Sequence, residues 1–357
     1  MAKRKNSSSA THPASPRSIA VVGAGMAGIA CARTLLQAGY QVDVFEKSRG
    51  PGGRMATRRT EFGGFDHGTQ YFTLRDERFK KALNTAPGAV VPWQVKTVHI
   101  MDEAGRVATA SGPDARTHWV AAPGMNSLPR LWAEPLTRLH LQSQVIRIEA
   151  DKLSSGRWQL QTEGPGADTQ IHAGFDAVLL ALPSVQAAAL LRASGQWPQA
   201  QKQLAGVQVA PCWTLMLAFP QASGPLGPTW QAARSVHHRI SWLTRETSKP
   251  GRGALERWTV QASPAWSERH LEDDEERVKA KLLRAFTEIT GIRAQPGHAQ
   301  VHRWRYAQTI EPLGVSHLWQ PQTGLGLCGD WCLGRRVEDA FVSGLELALA
   351  TASSLAE

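Results

Sequence analysis

The sequence predicts an α/β fold with an α+β part inserted into it, on three observations. Residues 18–47, SIAVVGAGMAGIACARTLLQAGYQVDVFEK, read as strand, glycine-rich turn, helix and strand. A second strand–turn–helix pattern, GLGLCGDWCLGRRVEDAFVSGLELA, recurs far downstream at 324–348. Between them CWTLMLAF (212–219), HRISWLT (238–244) and ERWTVQAS (256–263) carry the alternating apolar and Trp pattern of an antiparallel sheet.

The first pattern is the most specific. IAVV (19–22) is a short apolar run suited to a buried parallel strand. Gly23-Ala24-Gly25-Met26-Ala27-Gly28 opens a helix that runs to about Gln37 and stops at Gly39, with Ala27, Ala30, Cys31 and Leu35 as a small, close-packing face. YQVDVFE (40–46) is the next strand, and Glu46 ends it. The three glycines serve different ends. Gly23 makes the tight turn, Gly25 admits a pyrophosphate to the backbone, and Gly28 lets helix meet strand. The helix N-terminus offers free amides to phosphates, and Glu46 is placed to accept from a ribose hydroxyl. A Rossmann-like dinucleotide site follows, with NAD and FAD both open at this point.

The continuation KSRGPGGRMATRR (47–59) departs from an ordinary NAD domain. Gly50, Pro51, Gly52 and Gly53 let backbone lie against a ligand, and Arg54, Arg58 and Arg59 can neutralise a pyrophosphate. Together, GxGxxG, Glu46 and GGRMAT resemble the FAD-binding half of the flavin-dependent amine oxidase superfamily. FGGFDHGTQYFT (62–73) resembles the Asp-x-Gly-x-Gln-Tyr segment of its renalase branch, and Trp304, Arg305 and Gln308 in HRWRYAQTIEP (302–312) resemble that branch's Trp-Arg-x-x-Gln. QVIRIEADKLSSGRWQLQT (144–162) alternates as a hairpin, and FDAVLLALP (175–183) resembles the strand returning from it to the sheet.

The resemblance implies non-covalent FAD held by Gly23, Ala24, Gly25, Met26, Ala27, Gly28, Glu46, Lys47, Gly53, Arg54, Met55, Asp66, Gly68, Gln70, Val145, Gly329, Asp330, Val337 and Glu338. Val145 would lie near the adenine and Asp330 would bond the ribityl chain or pyrophosphate. The helix N-terminus at Val337–Glu338 would face the flavin N1/O2 edge, where a reduced ring is anionic. The fold implied is a discontinuous Rossmann-like FAD-binding domain (18–75, 118–184, 318–357) with an inserted α+β substrate-binding domain built on an antiparallel sheet (76–117, 185–317). One helix is expected over WSERHLEDDEERVKAKLLRAFTEITG (266–291), with Val278, Leu282, Phe286 and Ile289 at helical spacing and its acids forming a solvated face.

The implied reaction is hydride transfer from a small substrate to flavin N5 with dioxygen as acceptor and hydrogen peroxide as product, which needs no general base. Renalase-like enzymes oxidise isomeric dihydronicotinamide dinucleotides, so a planar ring would meet Gln70, Tyr71, Gln261, Trp304 and Tyr306. Several members of that family carry His at the position aligned with Gln261, so this chain departs from them there. Arg234, His237, His238 and Arg239 form a basic cluster that reads as a solvated strand end, with contact to the phosphates of the substrate's tail as the alternative. An amine oxidase or desaturase, and a flavin carrier without turnover, are the competing classes.

Composition narrows the rest. The formal charge of +10 includes Lys3, Arg4, Lys5 and Arg17, which meet no acid before residue 18. This describes a moderately basic enzyme with a basic tail, with neither nucleic acid nor membrane as partner. Residues 1–17 lack the apolar run of a signal peptide and read as disordered. The run AVLLALPSVQAAALLRA is broken by Pro183, Ser184 and Gln186 and cannot span a bilayer. Cys31, Cys212, Cys328 and Cys332 fit free thiols in a reducing cytoplasm, and no metal site is expected. A monomer and a homodimer are both compatible with these features.

Overall fold

The computed structural model describes residues 17–356, except 96–97, 103–105, 111–116, 223 and 225. The expected basic tail (1–17) lies outside the described residues apart from Arg17.

Elements β1 (Ser18–Val22), α1 (Met26–Gln37) and β2 (Gln41–Glu46) form where the strand–helix–strand pattern predicts them. Gly39, at φ 89°, takes the left-handed conformation that ends α1. A hairpin of β3 (Arg58–Thr60) and β4 (Gly63–Phe65) follows, then α2 (Glu77–Leu83) and β5 (Val90–Trp93). After these come β6 (Val98–Met101), β7 (Val107–Ala110), β8 (His118–Ala121), α3 (Ser127–Ala133) and β9 (Leu139–Leu141). A three-stranded antiparallel meander of β10 (Gln144–Ala150), β11 (Trp158–Glu163) and β12 (Thr169–Phe175) returns through β13 (Ala177–Leu180), which pairs parallel to β1. Two helices follow, α4 (Ser184–Ala193) and α5 (Pro198–Leu204).

The inserted part contains β14 (Gln208–Ala218), β15 (Ala232–Ser235), β16 (Ile240–Arg245), β17 (Arg257–Ala262), α6 (Pro264–Arg269), α7 (Glu275–Thr290) and the long β18 (His298–Glu311). The chain then re-enters the first domain through β19 (Leu318–Gln320), β20 (Leu325–Leu327) and α8 (Val337–Ala356).

Two sheets organise the molecule. Six strands in the order β19-β20-β13-β1-β2-β9 form a sheet that is parallel except at the β19 edge. Seven strands in the order β18-β14-β17-β16-β15-β6-β7 form the second, antiparallel except where β6 pairs with β15. One face of the second sheet buries Trp213, Leu215, Trp258 and Val260 against Val278, Leu282, Phe286 and Ile289 of α7. Its other face looks toward the first domain.

Packing differs from the sequence expectation in three places. Helices α4 and α5, expected in the inserted part, bury Ala187, Leu191, Ala200 and Leu204 with Val22, Val178 and Leu180 of the parallel sheet. Phe79 of α2 sits 5.0 Å from Phe341 of α8, so α2 packs on the first domain while β6 and β7 extend the second sheet. The single helix expected over 266–291 is two. Asp274 accepts from the amides of Glu276 and Arg277 and starts α7 afresh, because a capped N-terminus outweighs continuation through a run of acids.

The two distant patterns meet through backbone. A Cβ at Gly344 would strike the Ala27 carbonyl, and one at Gly28 would strike the Gly23 carbonyl. Neither contact has a flexible side chain to yield. Gly344→Ala is therefore expected to separate α8 from α1 and to cost roughly 1–3 kcal/mol, the range for overpacking. Equilibrium denaturant unfolding would measure it, and an unchanged midpoint would contradict this packing.

Candidate functional site

A cavity of about 1860 Å³ runs from the glycine turn of the first domain to the free face of the seven-stranded sheet. That exceeds the roughly 300–1,000 Å³ of a pocket for one drug-sized ligand, so a dinucleotide and a second molecule fit together. Of the residues expected to hold the cofactor, Gly23, Gly25, Met26, Ala27, Glu46, Lys47, Gly53, Arg54, Met55, Gly68, Gln70, Val145, Gly329, Asp330 and Val337 line it.

The glycine turn has the shape a pyrophosphate requires. Gly23 has φ 105°, and a Cβ there would sit 2.6 Å from the Ala181 carbonyl. Gly25 is the opposite case, because a Cβ added there meets no atom within 4 Å. The space over Gly25 is open backbone at a helix N-terminus, which suits a phosphate. Glu46 is buried, and its two oxygens accept from the amides of Ala24 and Ser48, each at 2.8 Å. It thus braces the turn, and its remaining lone pairs are what a ribose hydroxyl would meet.

At the far end of the cofactor cradle Arg54 reaches across the cavity. Its guanidinium grips Asp330 with both nitrogens, the Nη1–Oδ2 bond being 2.9 Å, and also donates to the Ala307 carbonyl at 3.3 Å. Thr309 donates to the same carboxylate at 3.2 Å. This bidentate pair ties the turn after β2 to the turn after β20, and β18 to both.

Four expected contacts need correction. Asp66 does not line the cavity. It is fully buried and accepts from Thr57 Oγ1 at 2.7 Å, the Met125 amide at 2.9 Å and Lys249 Nζ at 3.1 Å, with Arg252 beside it. Burial alone would raise its pKa, but Lys249 and Arg252 outweigh that and hold it below the usual carboxylate range. The Glu338 side chain also turns away from the cavity and accepts from the amides of Arg75 and Asp76 at 2.7 and 3.0 Å, leaving only the helix terminus to face a flavin. Ala24 and Gly28 are packed behind the turn rather than exposed to the cavity.

The substrate side is built by sheet register. Arg234 pairs with Trp242, Trp242 with Gln261, Gln261 with Thr214, and Thr214 with His302, which makes one cross-strand row on one face. Arg234, Trp242, Gln261 and His302 of this row line the cavity, as do Tyr71, Trp304 and Tyr306. The expected ring-pocket residues are thus brought together. Three of them have polar groups committed to protein partners. Gln70 donates to the carbonyls of Asp66 and Gly68 and accepts from Lys249 Nζ at 3.3 Å, and Gln261 donates to the Gly68 carbonyl at 2.7 Å. Trp304 likewise donates to the His67 carbonyl at 2.9 Å. Trp304 is no core residue but a half-buried cavity wall stacked on His67. In the basic strand end only Arg234 faces the cavity, since His237 is buried and pairs with Glu288 at 3.4 Å.

Sequence reasoning missed His67, His302 and Trp242. A signal existed for His302, because it precedes Trp304 by two on one strand and so shares its face. The acids read as a solvated face also do more. Glu272 pairs with Arg303 at 3.1 Å and with Arg305, both on the cavity rim.

The cavity's charge is one-sided. Lys47 and Arg49, Arg54, Arg58, Arg59, Arg75, Arg130, Arg234, Arg303, Arg305, Arg335 and Arg336 line it, against the carboxylates Glu46 and Asp330. Anionic ligands are therefore favoured. Cys212, which also lines it, is a protonated thiol, since burial pushes its pKa up to about 12. Cys328 and Cys332 are buried outside the lining and are raised further. Among the described residues no cluster of three His, Cys, Asp or Glu could hold a metal ion.

Two expectations test this site. Gly25→Val should leave the unliganded chain as stable as wild type, since its side chain enters open space, yet abolish retention of a dinucleotide on gel filtration. Coupled loss of folding would contradict the cradle assignment. Burial holds His67 down to about 3 and His302 to about 4. Between those values and the ordinary value near 6.5 the unfolded chain binds more protons, so folding stability falls as pH drops from about 6.5 toward 4. A His67→Phe, His302→Phe double variant should flatten that part of a stability–pH curve.

Comparison with known proteins agrees with this geometry. Residues 21–86 match the NAD(P)-binding Rossmann-like domain, and residues 101–350 match the flavin-containing amine oxidoreductase family. An L-amino-acid oxidase of Bothrops pauloensis is 44% identical over 61 residues, which is 17% of this chain and 12% of that protein. Hydroxyneurosporene desaturase of Cereibacter sphaeroides is 45% identical over 58 residues, 16% of this chain and 12% of the desaturase. The matched stretch thus spans about an eighth of the length of these curated relatives. Cyclohexylamine oxidase from Brevibacterium oxydans superposes with a TM-score of 0.72 at 14% identity, over 96% of this chain and all of that one. With the family match covering most of its length, the chain belongs to the flavin-containing amine oxidoreductases.

Proposed function

We propose that the protein is an oxidase that takes a hydride from a flat-ringed, anionic small molecule, with dioxygen as the final acceptor. Isomeric dihydronicotinamide dinucleotides are the substrates that fit best. The observation carrying this reading is the arginine surplus on a cavity too large for FAD alone, with Arg58 and Arg234 free of any carboxylate among the described residues on the substrate side. Arg234 is exposed and Arg58 half-buried, so each pair with a phosphate is worth only roughly 0–1 kcal/mol, and selection for an anion rests on the number of arginines rather than on one of them.

FAD, when bound, supplies the two-electron acceptor. The chain's residues orient and exclude. Gly23, Gly25 and the N-terminus of α1 would receive the pyrophosphate, Val145 and Phe45 would flank the adenine, and the N-terminus of α8 would stabilise charge on the ring. Trp304, Trp242 and Tyr71 would hold the substrate ring in a hydrophobic slot that keeps water from the transferring hydrogen. Among the described residues the slot named here consists of aromatic side chains, and hydride loss needs no base. Four free cysteines fit a reducing compartment such as the cytoplasm. Among the described residues no helix is long and apolar enough to cross a membrane.

A second reading, oxidation of an amine, is favoured by the fold likeness to cyclohexylamine oxidase. Anaerobic mixing separates the two. The purified protein is expected to be yellow, to release FAD on denaturation, and to be bleached rapidly by isomeric dihydronicotinamide dinucleotides. Bleaching by cyclohexylamine or L-amino acids and not by those dinucleotides would replace the first reading with the second. If no compound bleaches the flavin, the protein is a flavin carrier.

A further inference from the structure

His302 stands at the end of the cross-strand row that floors the cavity, and its chemistry is defined by what surrounds it. Arg58 Nη2 lies 3.5 Å from His302 Nδ1. A guanidinium only donates, so Nδ1 is the acceptor and the ring proton sits on Nε2. The ring is held edge-on to His67 at 4.7 Å and to Trp304 at 4.5 Å, which fixes its direction. Among the described residues Nε2 bonds to no protein group, and it is not one of the sealed polar atoms without a partner, while the residue lines the cavity. The N–H therefore opens into the space where a substrate ring would lie.

We propose that His302 is a specificity-determining residue whose Nε2–H donates to a carbonyl-type oxygen on the substrate ring, a carboxamide or a carboxylate. Arg58 is its positioning residue and sets the tautomer. The assignment rests on the flat-ring substrate and adds which atom of the ring the protein recognises. The groups facing the imidazole are Arg58 from β3 and His67 from the loop after β4, and among the described residues no carboxylate lies against it. Desolvation and the Arg58 charge together push it down to about 4, so the donor stays uncharged across the neutral range. A neutral donor reads an oxygen by position, and it does so without adding an ion pair that any anion could satisfy.

Three small rings test the assignment on the FAD-loaded protein: nicotinamide, nicotinate and 3-ethylpyridine, which lacks the oxygen. Binding is read from perturbation of the flavin absorbance. Wild type should prefer both oxygen-bearing rings over 3-ethylpyridine by roughly three- to tenfold, the worth of one neutral hydrogen bond. His302→Phe should erase the preference with FAD content unchanged, and His302→Gln, which keeps a donor, should restore part of it. In histidine-labelled protein followed by NMR, His302 should carry its proton on Nε2. Arg58→Met should raise its pKa in part, with burial still holding it below the ordinary value. A preference that survives His302→Phe, or a His302 pKa unmoved by Arg58→Met, overturns the proposal. Equal binding of all three rings to wild type overturns the role of His302 alone. If none of the three binds, the flat-ring substrate falls first and takes the ligand assignment with it.

Discussion

Backbone contact between α1 and α8 is the constraint on which the rest of the structure depends. These helices come from opposite ends of the described chain, yet Gly344 lies directly on the Ala27 carbonyl. That approach brings the turn after β2 and the turn after β20 to the two sides of one cavity. Arg54 and Asp330 then join those turns through a paired guanidinium and carboxylate. A bidentate pair of this kind holds geometry as well as charge, because both nitrogens and both oxygens must align. The cofactor site is therefore a product of helix packing first and of ion pairing second.

The loop from Asp66 to Tyr71 links that site to the substrate sheet. Its carbonyls at His67 and Gly68 anchor Trp304 and Gln261, while its acid is held from below by Lys249 and Arg252. Glu246 completes the cluster, and Lys249 and Glu246 are fully sealed from solvent. Buried charges of this kind add little net stability compared with apolar packing, but removing one partner leaves another uncompensated. The cluster thus fixes one conformation of the loop. The segment 66–71 acts through its carbonyls, with its carboxylate serving as foundation.

Much of this was legible in the residues. Alternation and glycine spacing located β1, α1, β2, β13, β20 and α8, because each is set by a local period and by turns that only glycine permits. The cavity-facing aromatics Trp304 and Tyr306 were named through the motif resemblance, whereas the strand alternation that puts His302 on the same face went unused. What was not legible depends on contacts between distant segments. Helices α4 and α5 carry apolar faces that fit either domain, so nothing local assigns them. Asp66 and Glu338 sit in motifs that elsewhere point at a cofactor, but their partners Lys249, Arg252 and the amides of Arg75 and Asp76 come from other parts of the chain. The break between α6 and α7 was visible in principle at Asp274, and was obscured by a continuous apolar period on either side.

The sequence by itself determined the parallel sheet and the glycine cradle, since both rest on short-range periodicity and turn chemistry, and its motifs carried the resemblance to the family. Only the tertiary structure decided the charge and the floor of the substrate cavity. Arg58, Arg234 and His302 lie on three separate elements, and their union depends on the register of five strands. Register is a long-range property that is settled by which faces are buried, and a one-residue slip would have turned His302 and Trp242 away from the cavity.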